Sequence, residues 1–180
     1  MQIKKNDSLL LFIDVQEKLF PHIDKHFELE KKLNQLVEGM QVLGVPIIVS
    51  EQYTKGLGKT IESVSEKLDD TTPTFEKMTF SCMQNLELAA AIQQTGRRTI
   101  ILAGIEAHIC VLQTALDLCA EGFDVALVLD AVGSRSEENK SISVLRLQNK
   151  VAFTSVESVL FELCEVSGTE EFKTISKIIK

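Results

Sequence analysis

The stretch Arg97-Arg98-Thr99-Ile100-Ile101-Leu102-Ala103-Gly104-Ile105-Glu106-Ala107-His108-Ile109-Cys110-Val111 decides how this chain is read. Apolar, β-favouring residues run from Thr99 to Leu102 and stop at a small pair, Ala103-Gly104. Six residues after Gly104 stands a cysteine, Cys110, at the start of a helical pattern that reaches about Glu121. A strand, a tight turn and a helix in that order can put a thiol at a helix N-terminus. Unpaired backbone N–H groups and the helix dipole there favour a thiolate and an oxyanion. Taken alone, Cys110 reads equally well as one more buried small hydrophobe, as free cysteines commonly are.

Outward from that stretch the same alternation repeats. Residues 8–13 are continuously apolar after Ser8 and read as a strand buried on both faces, with Asp14 at its carboxyl end. Residues 24–43 read as a helix, since Leu33, Leu36, Val37 and Met40 share one face and Gly44 can stop it. Val45 to Val49 is a second strand, followed by a loop from Ser50 to Lys59 and a short helix near 61–66. Thr72 to Glu76 is a third, weaker strand leading into Lys77. Asn85 caps a helix over 86–95 that ends at Gly96. After the fourth strand, 99–102, and the helix 107–121 come strands at 123–129 and 151–154. Capping pairs Ser134/Glu137, Thr154/Glu157 and Ser167/Glu170 open three further helices, the first over 136–148. Met78, Met83 and the leucines of 86–92 read as core, and Cys82, Cys119 and Cys164 as inert.

Strands alternating with helices imply a three-layer α/β/α sandwich around a six-stranded parallel sheet. The 180 residues read as one domain, 1–180, with no linker, repeat or low-complexity segment. A net charge of −7 without a basic run argues against a nucleic-acid partner. The apolar run 9–13 is interrupted by Asp14, too short for a membrane span. Four cysteines without paired metal spacing fit free thiols in a reducing, cytoplasmic setting.

With the common Rossmann-like order 3-2-1-4-5-6, strands one and four meet at the switch point, where ligands bind beyond the strand carboxyl ends. Asp14, Lys77 and Cys110 then reach one crevice. A free thiol, near pKa ~8.5, is mostly protonated at neutral pH, and a helix N-terminus and an ammonium both lower that value. Asp14 can take the thiol proton and deliver it to a leaving amine. Lys77 can hold Asp14 ionised. Backbone N–H groups of 106–110 can stabilise an oxyanion, so acyl transfer through a thioester follows. Each residue also has a plainer reading: a loop cap for Asp14, a solvated charge for Lys77.

Three segments together resemble the signatures of the isochorismatase-like hydrolases: Leu11-Phe12-Ile13-Asp14-Val15-Gln16, Lys77-Met78-Thr79-Phe80-Ser81 and Ala103-Gly104-Ile105-Glu106-Ala107-His108-Ile109-Cys110-Val111. Ser50 to Gly58 and Gly133-Ser134-Arg135-Ser136 are most similar to the isochorismatase domain-containing proteins and related bacterial hydrolases. The resemblance implies an Asp14-Lys77-Cys110 triad. It further implies a cis peptide between Ile105 and Glu106, with the N–H groups of Glu106 and Cys110 as an oxyanion hole. It implies a homo-oligomer, dimer or larger, as do the apolar faces of several helices. Metal-dependent nicotinamidases of this superfamily carry an Asp-x-His after strand two. Here the residues are Glu51-Gln52-Tyr53, so no metal and no cofactor are expected. His108 is expected to be structural.

The leading reading is therefore a cysteine hydrolase of an amide-type C–N bond in a small molecule, with Gln16, Phe20, Tyr53, Phe80 and Ile105 as pocket candidates. Tyr53 stands out among them, in a polar, glycine-flanked loop. The alternative keeps the fold but acts as a binding or scaffold subunit. A dinucleotide-dependent oxidoreductase would need glycines after strand one, where Asp14-Val15-Gln16-Glu17 has none.

Overall fold

The computed structural model describes residues 1–180. Its strands are β1 (Ser8–Ile13), β2 (Ile47–Gln52), β3 (Thr74–Lys77), β4 (Thr99–Ile105), β5 (Asp124–Gly133) and β6 (Ala152–Thr154). They form one parallel sheet in the order β3-β2-β1-β4-β5-β6. The helices are α1 (His26–Val42), α2 (Thr54–Leu57), α3 (Glu62–Ser65), α4 (Leu86–Gln94), α5 (Leu112–Ala120), α6 (Glu137–Leu147), α7 (Val156–Cys164) and α8 (Glu170–Ile179).

Alternation along the central strand divides the core. Leu10 and Phe12 of β1 join a cluster with Leu33, Leu36 and Met40 of α1 and Val159 and Leu160 of α7. Leu9, Leu11 and Ile13 face the other way, toward Leu88 and Ile92 of α4 and Leu112, Ala115 and Leu118 of α5. All six residues of β1 are buried, which is why the strand reads as an unbroken apolar run. Each such Leu, Ile or Phe contributes about 1.5–3 kcal/mol of burial, an upper bound against a compact unfolded chain.

Several boundaries differ from those expected. β2 runs on to Gln52, because Ser50 to Gln52 pair with Phe75 to Lys77 of β3. β4 continues through Ala103-Gly104 to Ile105, with Gly104 opposite Ile13 on one side and Val132 on the other. Gly104 has φ +118, and a Cβ there would lie 2.1 Å from the Ile13 carbonyl oxygen. Only glycine fits that backbone contact at that φ. The caps of the last three helices fall on Ser136, Ser155 and Thr169, whose hydroxyls accept from Asn139, Ser158 and Phe172 N–H. The expected Ser134, Thr154 and Ser167 lie one or two residues too early, and Ser134 turns instead to His108. Met83 and Leu88 are core as expected, but Met78 and Leu86 are exposed. Met78 follows the inward-facing Lys77 and so points out, and Leu86 opens α4 on its solvent side.

Candidate active site

The register that builds the sheet also gathers the polar groups. Ile13 lies between Ser50 of β2 and Gly104 of β4, so the next residue, Asp14, emerges at the switch point. Gln52 lies beside Lys77. Asp14 adopts φ +53, which turns the chain out of β1, and its N–H donates to the Ser50 carbonyl at 3.0 Å.

Asp14 and Lys77 form an ion pair with both side chains fully buried, Nζ to Oδ2 2.7 Å. The ammonium also donates to Gln52 Oε1 (3.2 Å), the Thr79 carbonyl (3.1 Å) and the Phe80 carbonyl (3.0 Å). The second Asp14 oxygen, Oδ1, accepts from Ser50 Oγ at 2.7 Å. Burial is the largest single effect and pulls the Lys77 ammonium down, but the Asp14 charge, its hydrogen bond and the neighbouring Cys110 and Cys82 together bring the net direction up. Lys77 is therefore a cation at neutral pH despite its burial.

Cys110 lies against this pair, 7% exposed. Burial first, and the Asp14 charge second, push its thiol well above the usual cysteine range, with Lys77 offsetting only part. This corrects the expectation of a lowered thiol. The expected helix N-terminus is replaced by a widened, π-type turn, Ala107–Val111, that leads into α5. The resting group is a thiol beside a carboxylate.

The turn carries a further feature. The Ile105–Glu106 peptide is cis. The Glu106 carbonyl accepts from the N–H of Ile109 (3.0 Å) and of Val111 (3.2 Å). An ordinary α-helix would bond it to Cys110 N–H; here that donor is passed over. The Glu106 carboxylate takes Arg135 N–H (3.0 Å) and its guanidinium (Nε to Oε1 3.0 Å). His108 Nδ1 lies 3.0 Å from Ser134 Oγ, so this histidine braces the turn against the residues after β5.

The other pocket candidates divide. Gln16 is buried, its amide nitrogen donating to the Gln52 and Gly58 carbonyls (both 2.8 Å) and its oxygen accepting from Gln52 N–H. Phe20 and Ile105 sit in the core cluster on the α1 side of the sheet. All three are buried. Tyr53 and Phe80 are exposed, and both flank segments that touch Lys77, since Tyr53 N–H donates to the Lys77 carbonyl.

The sequence does not single out Ser50 and reads Cys82 as inert, yet both touch this network. Cys82 Sγ lies 3.6 Å from Ser50 Oγ. The only available signal for Ser50 was its place at the carboxyl end of β2. Glu51 points away, its carboxylate holding Thr60 N–H, Thr60 Oγ1 and Lys59 Nζ at 2.8–3.1 Å. No group of three or more His, Cys, Asp or Glu side chains converges as a metal ion would require. No helix is long and apolar enough to cross a membrane.

A parallel sheet in this order, with a thiol, a carboxylate and an ammonium at its switch point, has the fold of the isochorismatase-like hydrolases. The family model of the isochorismatase domain matches residues 8–158, and the chain belongs to that family. It is 39% identical over 182 residues to a secreted isochorismatase effector of Phytophthora sojae, covering 97% of this chain and 85% of that protein. It is 38% identical to isochorismatase domain-containing protein 1 of Danio rerio over 96% of this chain, and spans 61% of that protein's length. A solved structure from Caenorhabditis elegans, described as a MAR1 ribonuclease, superposes with a TM-score of 0.93 at 34% identity, over 99% of this chain and 92% of that one.

Proposed function

We propose that the protein hydrolyses an amide-type C–N bond of a small molecule through a Cys110 thioester. The observation that carries this reading is the fully buried Asp14–Lys77 ion pair set against the Cys110 thiol. Keeping two charges out of water costs several kcal/mol per ion, which a purely structural contact would not need. As the sulfur attacks the carbonyl carbon, the thiol proton passes to Asp14. The oxyanion accepts from the N–H groups of Glu106 and Cys110, the latter not taken by the Glu106 carbonyl. Collapse expels the amine, which leaves with the proton from Asp14, and an acyl thioester remains. Water then attacks the thioester, giving its proton to Asp14. The second collapse releases the acid, and the sulfur recovers its proton. Lys77 holds the Asp14 carboxylate in place and balances its charge through both halves.

Tyr53 and Phe80 are the aromatic walls that meet the substrate at the mouth. Four free cysteines support a reducing, cytoplasmic setting. Exposed Ile142, Leu145 and Phe153, with Met78 and Leu86, support a homo-oligomer. Net charge −7 argues for a small-molecule substrate over RNA.

The test is a panel of small primary amides assayed for ammonia release, with intact-mass detection of an acyl adduct and an RNA oligonucleotide as a control substrate. The expected result is ammonia with at least one amide and an adduct that Cys110→Ala abolishes. Cleavage of RNA that survives Cys110→Ala, with no amide turned over, would overturn the proposal. No adduct and no turnover of any kind would favour a binding subunit instead.

A further inference from the structure

We propose that Ser50 is a positioning residue for the Asp14 base and that the buried Cys82 thiol in turn orients Ser50. The inference rests on the thioester reading above and adds a residue layer behind it. Ser50 holds Asp14 twice. Its carbonyl accepts the Asp14 N–H at 3.0 Å, and its hydroxyl donates to Oδ1 at 2.7 Å. Lys77 holds the other oxygen, Oδ2. Backbone, one carboxylate oxygen and the other are thus each pinned, and the carboxylate plane has no remaining freedom to turn from Cys110.

The direction of the hydrogen bonds follows from counting protons. An ionised carboxylate only accepts, so the single Ser50 hydroxyl proton points to Asp14. The Ser50 lone pairs then face Cys82 Sγ at 3.6 Å, and only a protonated thiol can donate to them. Cys82 is fully buried in the cluster under α4 and α5, its N–H tied to Thr114 Oγ1 at 3.0 Å. Burial and the Asp14 charge push that thiol up to about 11, so it keeps its proton throughout the working range. The charged or titratable groups facing Asp14 are Lys77 from β3, Cys82 from the turn before α4, and Cys110 from the turn before α5. Ser50 is the one neutral hydroxyl among them.

The experiment uses p-nitrophenyl acetate as the acyl donor. Phenolate release is timed from pH 5 to 9, and acetyl on Cys110 is located by peptide mass spectrometry. The acetyl–oxygen bond breaks, the acetyl–sulfur bond forms, and the thiol proton goes to Asp14. With Asp14 as an internal base, acylation is nearly flat with pH between carboxylate and thiol ionisation. Without it, the rate rises tenfold per pH unit with the thiolate. The expected wild type is flat and Asp14→Asn is sloped. Ser50→Ala stays flat but falls about 10–100-fold. Ser50→Thr returns to near the wild-type rate. Cys82→Ala lowers the plateau a few-fold, whereas Cys82→Ser, which still donates, does not. Circular-dichroism melting of each variant separates misfolding from mispositioning, and the hydroxyl- and donor-retaining variants carry the test where an alanine variant fails to fold.

A flat wild type, a sloped Asp14→Asn and a Ser50→Ala indistinguishable from wild type would overturn the Ser50 inference and leave the base in place. So would a Ser50→Thr as slow as Ser50→Ala. A wild type as sloped as Asp14→Asn would remove Asp14 as the base and the Ser50 inference with it, and phenolate release with no acetyl on Cys110 would overturn the thioester reading itself.

Discussion

Removing one partner of the Asp14–Lys77 pair should cost more on one side than on the other. Lys77→Met leaves the Asp14 carboxylate fully buried with only the neutral Ser50 hydroxyl and Cys110 thiol as side-chain partners. An uncompensated buried charge costs about 3–5 kcal/mol. For a chain of this length that is roughly 6–20 °C in Tm. Asp14→Asn leaves Lys77 with three oxygens still within 3.2 Å, from Gln52, Thr79 and Phe80. Its loss should be nearer that of one charged hydrogen bond, about 1.5–3 kcal/mol. The double variant Asp14→Asn/Lys77→Met should fall short of the summed singles by at least about 1 kcal/mol, because the contact can be lost only once. Urea unfolding followed by far-ultraviolet circular dichroism, at one protein concentration and with reductant present, measures all four corners. Equal single losses that add without coupling would refute the reasoning, since they would mean that each charge is satisfied independently of the other.

Further outcomes follow from other parts of the molecule. Gly104→Ala should cost more than about 3 kcal/mol, or leave the protein insoluble, because its Cβ meets the Ile13 backbone at 2.1 Å. Gly96→Ala, with φ +67 but nothing within 4 Å, should cost only about 1–2 kcal/mol, and thermal melting compares the two. The Cys82 thiol is held up to about 11, above its unfolded value near ~8.5, so the folded state binds its proton more tightly. Its contribution to stability is complete below that unfolded value and is lost as pH rises toward the folded one. Unfolding free energy measured from pH 7 to 10.5 should therefore fall more steeply in wild type than in Cys82→Ala. Light scattering at micromolar concentration should give a mass of at least twice 20.0 kDa, and Leu145→Lys, placed on the exposed face of α6, should lower it.

Periodicity made most of the fold legible. β1 could be located because every residue from Ser8 to Ile13 is buried, and α1 because its buried leucines share one face. Alternation implied a parallel sheet, and taking the common strand order for such sheets supplied the switch point, so Asp14, Lys77 and Cys110 could be brought together while still far apart in the chain. What the pattern could not carry was proton chemistry. Dipole and ammonium both argue for a lowered Cys110, and only the packing around it makes burial and the Asp14 charge the larger effects. Ser50 was invisible for a different reason: a serine among Val49, Glu51 and Gln52 looks like any strand end until the register sets it beside Ile13. The capping serines were misplaced by one or two residues because several candidates stand side by side before each helix, and side-chain identity alone does not choose among them.

The turn at Ala107–Val111 makes the crevice a matter of counting. Glu106 is bridged to Val111, five residues on, where an α-helix would close after four. That surplus residue sets the angular phase at which α5 begins. Each residue of an α-helix advances the face by about 100°. A chain shortened by one residue here could close an ordinary helical turn, and Glu106 would then claim the backbone donor that it now leaves free. Everything before the lost residue would hold its bearing, and everything after it would swing by that angle relative to the sheet. In this family member, the spacing between Gly104 and Cys110 is thus a geometric dimension as much as a stretch of sequence, and it tolerates substitution more readily than a change in length.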